Sequence, residues 1–314
     1  MMIVAIVAIA TTACGSGSPE PNFDLPTPVY PREVVNFVVG AADGTFETDY
    51  ANALSAAFAV ETSGTVSVKP EPGSNGVAAV ENFGINPNGG HWFLVINSDQ
   101  IAALATGVTT EDITRDFRPV TTAVVQPFVF VAASDSDYSD WGDVVSAASS
   151  GSVTVGVKGP ETGAAALNIA GIADALGLSL ETTPAGDPAA RLATANGLGL
   201  LTLGEANRLI RSGTGAALLV LGASEVASLP GVPTAASEGS SFEGVPYLLG
   251  LSNHTRVPVF TQDNISIILR NTKANAGFQA FVAGAGLSDI DVPPGDAGLT
   301  FRSQIALFEA LAAK

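Results

Sequence analysis

The sequence has few of the residues from which most catalytic and metal sites are built. Its 314 residues include one cysteine and two histidines, which excludes an internal disulfide framework and leaves little for a zinc or copper site. It also has no EF-hand spacing, nucleophile elbow, Walker A loop or H-E-x-x-H pattern. We therefore expect no enzyme, no metal and no cofactor, although an all-oxygen metal site built from Asp and Glu stays open.

Basic residues are scarce as well. The chain has 13 Lys and Arg residues against 30 Asp and Glu residues, which gives a net charge of −17. A field of this sign repels phosphate backbones, so we expect no nucleic-acid partner. Hydrophobic residues make up 46 % of the chain and charged residues 14 %, which is typical of a globular protein. The length is sufficient for two domains, each with its own core.

The N-terminus resembles that of a bacterial lipoprotein. Residues 3–10 form an apolar run too short to span a bilayer, and small residues and Cys14 follow it. This pattern predicts a signal peptide over residues 1–14, with Cys14 lipidated at its end. The proline-rich residues 15–30 are predicted to form a flexible tether. The protein would then lie outside the cytoplasm, anchored to the outer face of the cell membrane (periplasmic in a Gram-negative cell); a free or buried cysteine is the alternative.

Residues 34–58 are the stretch around which the chain is organised. The uniformly apolar residues 35–39 predict a central parallel strand covered on both faces. Small residues at 40–44 allow a tight turn, and Tyr50, Leu54 and Phe58 have helical spacing. A helix N-terminus at a strand end favours an anion, although an ordinary strand–helix connection without a ligand would look the same.

The same pattern recurs along the chain. Predicted strands at 65–69, 91–96 and 153–157 each end in small or polar residues and precede a helical segment. This repetition predicts parallel, doubly wound sheets.

Two crossing segments divide the pattern into two lobes. The apolar run 128–131 follows Gln126-Pro127, and a Pro-rich segment at 229–234 follows the last strand of the second group. We predict one lobe from residues 31–128 and 223–314, and a second from residues 129–222. A cleft between two such lobes is a preferred ligand site.

Five short motifs, taken in order, resemble those of a known family. They are Tyr30-Pro31, GTFETDYA at 44–51, PGSNGVAA at 72–79, DFRPV at 116–120 and LPGVPTAASEG at 229–239. Together they are similar to the substrate-binding receptors of tripartite tricarboxylate transporters, the Bug-type proteins. The resemblance covers about residues 30–314.

This resemblance implies an α/β, two-lobed, type II-like periplasmic binding protein fold. Each lobe would be a mostly parallel sheet flanked by helices, with the ligand in the cleft between the lobes. The protein would be a monomeric extracytoplasmic receptor that captures a small organic carboxylate and delivers it to integral-membrane transporter subunits. The ligand would be held by backbone N–H groups, hydroxyls and water and not by an arginine clamp.

The candidate ligand-binding residues lie in the loops at the strand ends. Lys158 is the one basic residue at such an end and would supply a charge-assisted contact, unless it is simply solvated. Side-chain hydrogen bonds are expected from Ser74, Asn97 and Ser98. The full set is Ala42, Asp43, Gly44, Thr45, Ser74, Asn75, Gly76, Asn97, Ser98, Gln126, Lys158, Gly159, Thr162 and Thr202.

Departures from the family pattern leave the ligand open. Asp43 and Glu47 near the cleft would repel a polyanion, which disfavours a tricarboxylate and favours a monocarboxylate, an amphoteric acid or an aromatic acid. The fourth loop has Gly163 followed by two alanines where the family has a serine run. Two alternatives therefore remain: a ligand-sensing co-receptor lipoprotein, and a surface lipoprotein with a degenerate cleft and no role in transport.

Overall fold

A computed structural model describes residues 30–85, 89–113, 115–194, 196–287, 289–292 and 294–314. The predicted signal peptide with Cys14, and the tether up to residue 29, lie outside the described residues. Where the structure describes the chain, no helix is long and apolar enough to cross a membrane.

Strands and helices alternate along most of the chain. The strands are β1 (Val35–Val39), β2 (Val66–Pro70), β3 (Trp92–Asn97), β4 (Phe117–Gln126), β5 (Phe128–Ala133), β6 (Val153–Val157), β7 (Leu180–Pro184), β8 (Leu198–Thr202), β9 (Gly215–Leu221), β10 (Tyr247–His254) and β11 (Asp289–Val292). The helices are α1 (Phe46–Thr62), α2 (Val77–Gly84), α3 (Ser98–Ala105), α4 (Trp141–Ser150), α5 (Ala164–Leu176), α6 (Pro188–Leu192), α7 (Leu203–Arg211), α8 (Val259–Lys273), α9 (Ala276–Gly284) and α10 (Pro294–Ala312). A single 3₁₀ turn, Ser74–Gly76, precedes α2.

The strands form two sheets, and each sheet with its helices is one lobe. Lobe 1 has the strand order β11-β4-β10-β3-β1-β2, and lobe 2 has the order β7-β6-β8-β5-β9. The chain passes from lobe 1 to lobe 2 at Pro127, between β4 and β5, and returns through residues 222–246. The two-lobed α/β architecture is confirmed.

The pairing within the sheets differs from the prediction. We expected mostly parallel sheets, but both are mixed. β1 pairs in parallel with β2 and β3, and β6 with β7 and β8. β10 is antiparallel to β3 and β4, β4 to β11, and β5 to β8 and β9. The local apolar pattern does not encode strand direction, which is set here by the two crossings between lobes.

The predicted organising element is confirmed at β1 and α1. β1 is buried along its whole length between β2 and β3. Tyr50, Leu54 and Phe58 of α1 are fully buried, and Phe37 meets Phe58 edge-on at 5.8 Å between ring centroids. The Thr45 side chain accepts the Thr48 N–H at the start of α1. This packing fixes the direction in which the first turn of α1 points.

Candidate functional site

The site lies between the lobes, at the carboxyl ends of four strands. β1 leads to the first turn of α1, and β3 leads directly to α3. In lobe 2, Lys158 directly follows β6, and β8 leads into α7. Tyr247 opens β10, two residues before the register partner of Asn97 at the end of β3. Side chains from both lobes therefore meet at this edge.

Four charged or hydroxyl-bearing side chains form the centre of the site, which we call the Lys158 cluster: Glu47, Asp99, Lys158 and Tyr247. Lys158 Nζ of lobe 2 donates a hydrogen bond to Glu47 Oε1 of lobe 1 and lies 3.4 Å from Asp99 Oδ2. The Tyr247 hydroxyl donates to Glu47 Oε1 at 2.6 Å and to Asp99 Oδ2 at 3.3 Å. Both carboxylate residues are 2 % exposed, so their charges interact with little solvent screening.

Asp99 also contacts a helix of the other lobe. The backbone N–H of Ala164, the first residue of α5, donates to Asp99 Oδ1 at 3.3 Å. A helix N-terminus carries free N–H groups and a partial positive charge, which favour an anion. A carboxylate of lobe 1 thus occupies the anion position that α5 of lobe 2 presents.

The cluster shifts the pKa values of its members. Burial alone would raise the pKa of Glu47, but the Lys158 ammonium and the Tyr247 hydroxyl outweigh it and lower the pKa to about 2. For Asp99 burial dominates, and with the Glu47 charge it raises the pKa despite Lys158. Burial would lower the pKa of Lys158, but Glu47 and Asp99 raise it above its ordinary value. The ammonium and the Glu47 carboxylate are therefore both charged at neutral pH.

A second ion pair lies in lobe 2 next to the cluster. Arg191 donates to both carboxylate oxygens of Glu205, at 2.9 and 2.6 Å, and both residues are buried. Glu205 Oε2 also accepts the backbone N–H of Thr202 at 3.0 Å. Burial raises the pKa of Glu205, but Arg191 lowers it further than burial raises it. The charge of Glu205 is therefore compensated by Arg191 within lobe 2.

Asn75 brings the 3₁₀ turn of lobe 1 against the loop that follows β6. Its backbone is left-handed, with φ +58°. A Cβ added to Gly159 would lie 2.2 Å from Asn75 Oδ1, and one added to Gly163 would lie 2.9 Å from Asn75 Nδ2. Glycine at these two positions therefore allows the lobes to come together.

Gln126, the last residue of β4, joins the lobes beside the crossing. Its Oε1 accepts the N–H of Gly204 in α7 at 2.8 Å, and Gly204 lies against the ring of Phe46. At the rim, Arg208 of α7 donates to Asp49 of α1 at 2.8 Å. These contacts, with the Lys158 cluster, hold the lobes together in a closed arrangement.

The structure brings some of the predicted site residues to this edge. Asn75, Lys158 and Gly159 meet between the lobes, and Gln126 bridges them. The Gly76 carbonyl accepts the Gln100 side chain, Thr162 is half-buried in the loop before α5, and Thr202 is buried at the end of β8. Ser74 is the first residue of the 3₁₀ turn. These positions are consistent with ligand contacts, which remain predictions.

Other predicted residues have different surroundings. Ala42, Asp43 and Gly44 are exposed, and Thr45 caps α1. Asn97 caps α3 by accepting the Gln100 N–H at 3.0 Å. Ser98 accepts the Leu248 N–H at 2.8 Å and donates to Gln304 at 2.9 Å. Asn97 and Ser98 are thus buried and bonded within lobe 1, and their contacts to a ligand stay predictions.

Three residues of the Lys158 cluster were not in the predicted set. Glu47 was noted only as a source of repulsion, although it lies three residues after the turn glycine at 44. Asp99 follows Asn97-Ser98 directly and could have been chosen with them. Tyr247 lies 89 residues after Lys158, and no local pattern connects the two.

Cavities also lie away from the Lys158 cluster. One of about 260 Å³ opens beside the rim of the cleft; it is lined by Phe46, Gly204, Arg208, Arg211, Phe281, Gly284 and Ala285. Another, of about 710 Å³, lies in lobe 2 near the start of β9, and its lining includes Asp135, Asp137 and Tyr138. In the described ranges, no three His, Cys, Asp or Glu side chains are grouped so that they could hold a metal ion.

No protein-family model and no curated protein sequence matches the chain. Solved structures do match it. MatC from Rhodopseudomonas palustris with bound malate is 17 % identical, with a TM-score of 0.80 over 90 % of this chain and 100 % of that one. Another R. palustris protein, with adipate, is 17 % identical, with a TM-score of 0.80 over 90 % and 97 %. A TctC solute binding protein from Polaromonas, without ligand, is 16 % identical, with a TM-score of 0.70 over 90 % and 99 %. The chain therefore has the fold of the TctC- and Bug-type periplasmic binding proteins.

Proposed function

We propose that the protein is an extracytoplasmic solute-binding receptor that captures a small organic acid between its lobes. The observation that carries this proposal is the Lys158 cluster: an ammonium and a helix N-terminus of lobe 2 face carboxylates of lobe 1 across the cleft. When the lobes separate, Lys158 and the first N–H groups of α5 become a seat for a carboxylate. Neighbours with this fold carry malate and adipate, which supports a small organic acid as the ligand.

The mechanism is closure of the lobes about the crossing at Pro127. The ligand carboxylate takes the place that Asp99 has at Ala164 N and that Glu47 and Asp99 have at Lys158. Gln126, which bonds across the lobes beside the crossing, keeps them in register. Delivery to integral-membrane transporter subunits and anchoring through Cys14 are further parts of the proposal.

A thermal-unfolding screen of the full chain against mono-, di- and aromatic carboxylates tests the proposal. A ligand at 100 times its dissociation constant adds about 2.7 kcal/mol of stability, a shift of a few degrees. Lys158→Met is expected to abolish the shift. Lys314→Met is the matched control, because Lys314 also pairs across the lobes, with Asp174, but in an exposed position.

A second candidate is a surface lipoprotein whose cleft no longer binds a solute. Its support is that the protein's own carboxylates occupy the anion positions at Lys158 and α5. A flat screen with a cooperative melt would favour it. If a ligand does bind, uptake of that ligand in cells lacking the gene separates a transport receptor from a ligand-sensing co-receptor, because only the receptor is needed for uptake.

A further inference from the structure

The charges of the Lys158 cluster do not balance. One ammonium, on Lys158, lies between two carboxylates, on Glu47 and Asp99. The nearby Glu205 does not need Lys158, because Arg191 binds both of its oxygens. Besides sharing Lys158, Asp99 has the Ala164 N–H at the N-terminus of α5, which carries only a partial positive charge. A buried carboxylate with so weak a counter-charge is costly, and a second cation would reduce the cost.

One carboxylate oxygen of the cluster also lacks a hydrogen-bond donor. Glu47 is only 2 % exposed. Within the residues that the structure describes, its Oε2 atom is buried and has no hydrogen-bond partner. Gln126 Nε2, on the residue that pairs with Tyr247 in the sheet, is buried and unpartnered as well. Buried polar atoms normally have a hydrogen-bond partner. Between the lobes, Glu47 Oε2 could therefore accept a hydrogen bond from a ligand, and Gln126 Nε2 could donate one.

The cluster separates into two halves of opposite charge when the lobes part. Lobe 1 keeps Glu47, Asp99 and the Tyr247 hydroxyl, which together favour a cation. Lobe 2 keeps Lys158 and the Ala164 N–H, which favour an anion. A plain dicarboxylate would satisfy lobe 2 but bring a second anion against Glu47 and Asp99, and like charges at such distances repel strongly in a buried site.

We propose that the cleft selects a zwitterion, a small molecule with an ammonium group and a carboxylate group, as in an amino acid. The ammonium binds Glu47 and Asp99 in place of Lys158, and its N–H groups reach Glu47 Oε2. The carboxylate binds Lys158 and Ala164 N in place of the protein's own carboxylates. The ligand thus lies between the two partners of the existing ion pair. The carboxylates of lobe 1 then face the ligand ammonium, and the ammonium of lobe 2 faces the ligand carboxylate. This inference rests on the proposed function and names the chemical class of its ligand.

Calorimetric titration of the full chain with matched probes tests the inference. The zwitterions are glycine, β-alanine and γ-aminobutyrate. The matched acids without an amine are acetate, propionate, butyrate and glutarate, and the matched amine is propylamine. We expect one of the zwitterions to bind at least tenfold more tightly than the acid and the amine of similar length.

The variants separate this inference from the proposed function. Glu47→Gln and Asp99→Asn keep the shape of each side chain and are expected to reduce zwitterion binding at least tenfold, whereas Lys314→Met should not change it. Urea unfolding of each variant checks that it folds cooperatively. Tighter binding of a plain acid than of any zwitterion would overturn the inference and leave the receptor function standing. Preference for propylamine, or binding of no probe, would also overturn the inference, whereas the receptor function is decided by the wider carboxylate screen.

Discussion

Lys158 and Glu47 form an ion pair across the cleft, so that a lysine at the end of a lobe 2 strand is bound by a glutamate in the first turn of a lobe 1 helix. Lys158 is 19 % exposed and Glu47 is 2 % exposed. The pair is therefore a contact between lobes as well as part of the candidate ligand seat. The same two charges are expected to influence closure, stability and recognition together.

The first prediction concerns removal of the ammonium. Lys158→Met leaves the buried Glu47 and Asp99 without a cation, and breaking a buried ion pair costs about 3–5 kcal/mol. We expect the lobes to move apart, with a larger radius of gyration in small-angle X-ray scattering and lower stability in urea. Lys314→Met, which removes an exposed interlobe pair, should change neither quantity much. An unchanged radius and stability in Lys158→Met would show that the ion pair does not hold the lobes.

The second prediction concerns acid stability. The pKa of Glu47 is about 2 in the folded protein against an ordinary value of 4.5. Because the folded value is the lower one, Glu47 contributes stability above pH 4.5 that is lost as the pH falls towards 2. A shift of this size corresponds to about 3 kcal/mol. Urea unfolding between pH 2 and 7 should show a shallower loss of stability in Glu47→Gln than in the wild type; equal pH profiles would contradict the lowered pKa.

The third prediction concerns the opposite shift at Asp99. Burial and Glu47 raise its pKa, so the folded protein binds this proton more tightly than the unfolded chain does. Asp99 therefore reduces stability as the pH rises through its folded pKa, the reverse of Glu47. Asp99→Asn, whose amide oxygen can still accept the Ala164 N–H, should raise the midpoint of thermal unfolding at pH 7 and should not raise it below the ordinary pKa of aspartate, 3.8. A lower midpoint at pH 7 would contradict this assignment.

The fourth prediction concerns Gly159, which lies against the Asn75 side chain of the other lobe. Gly159 has φ +75°, and an added Cβ would meet Asn75 Oδ1 at 2.2 Å. Gly159→Ala should therefore prevent full closure, seen as a larger radius of gyration. Gly177→Ala is the control for backbone strain alone, because Gly177 has φ +65° and no neighbouring atom within 4 Å; this strain costs ~1–2 kcal/mol.

A rescue variant tests the cause of the Gly159 effect. Asn75→Gly removes the side chain that the new Cβ would meet and accepts the left-handed backbone at this position. The double variant with Gly159→Ala should regain the radius of gyration of the wild type. An open double variant would show that backbone strain, and not the contact with Asn75, keeps the lobes apart.

The sequence predicted those parts of the fold that depend on local patterns. β1 and α1 were predicted because an apolar run and helical spacing adjoin a small-residue turn. Lys158 was singled out because basic residues are rare at the strand ends. The antiparallel pairs in the two sheets were not predicted, because strand direction depends on the crossings between lobes.

The surroundings of single residues in the candidate site could not be predicted from local patterns. Asn97 at a strand end has the same appearance whether it binds a ligand or caps the next helix, and here it caps α3. Glu47 was considered as a free charge that repels anions, but it is bound by Lys158 from 111 positions along the chain. Pairing between residues so far apart in the chain can be recognised only in the three-dimensional structure.

The proposed receptor function depends on Lys158, which would bind the carboxylate of a small organic acid between the lobes. It is tested most directly by calorimetric titration of the strongest ligand from the carboxylate and amino acid screen into wild type, Lys158→Met and Lys314→Met. We expect Lys158→Met to weaken binding at least tenfold and Lys314→Met to bind as the wild type does. Binding of equal affinity in Lys158→Met would show that Lys158 does not hold the ligand carboxylate.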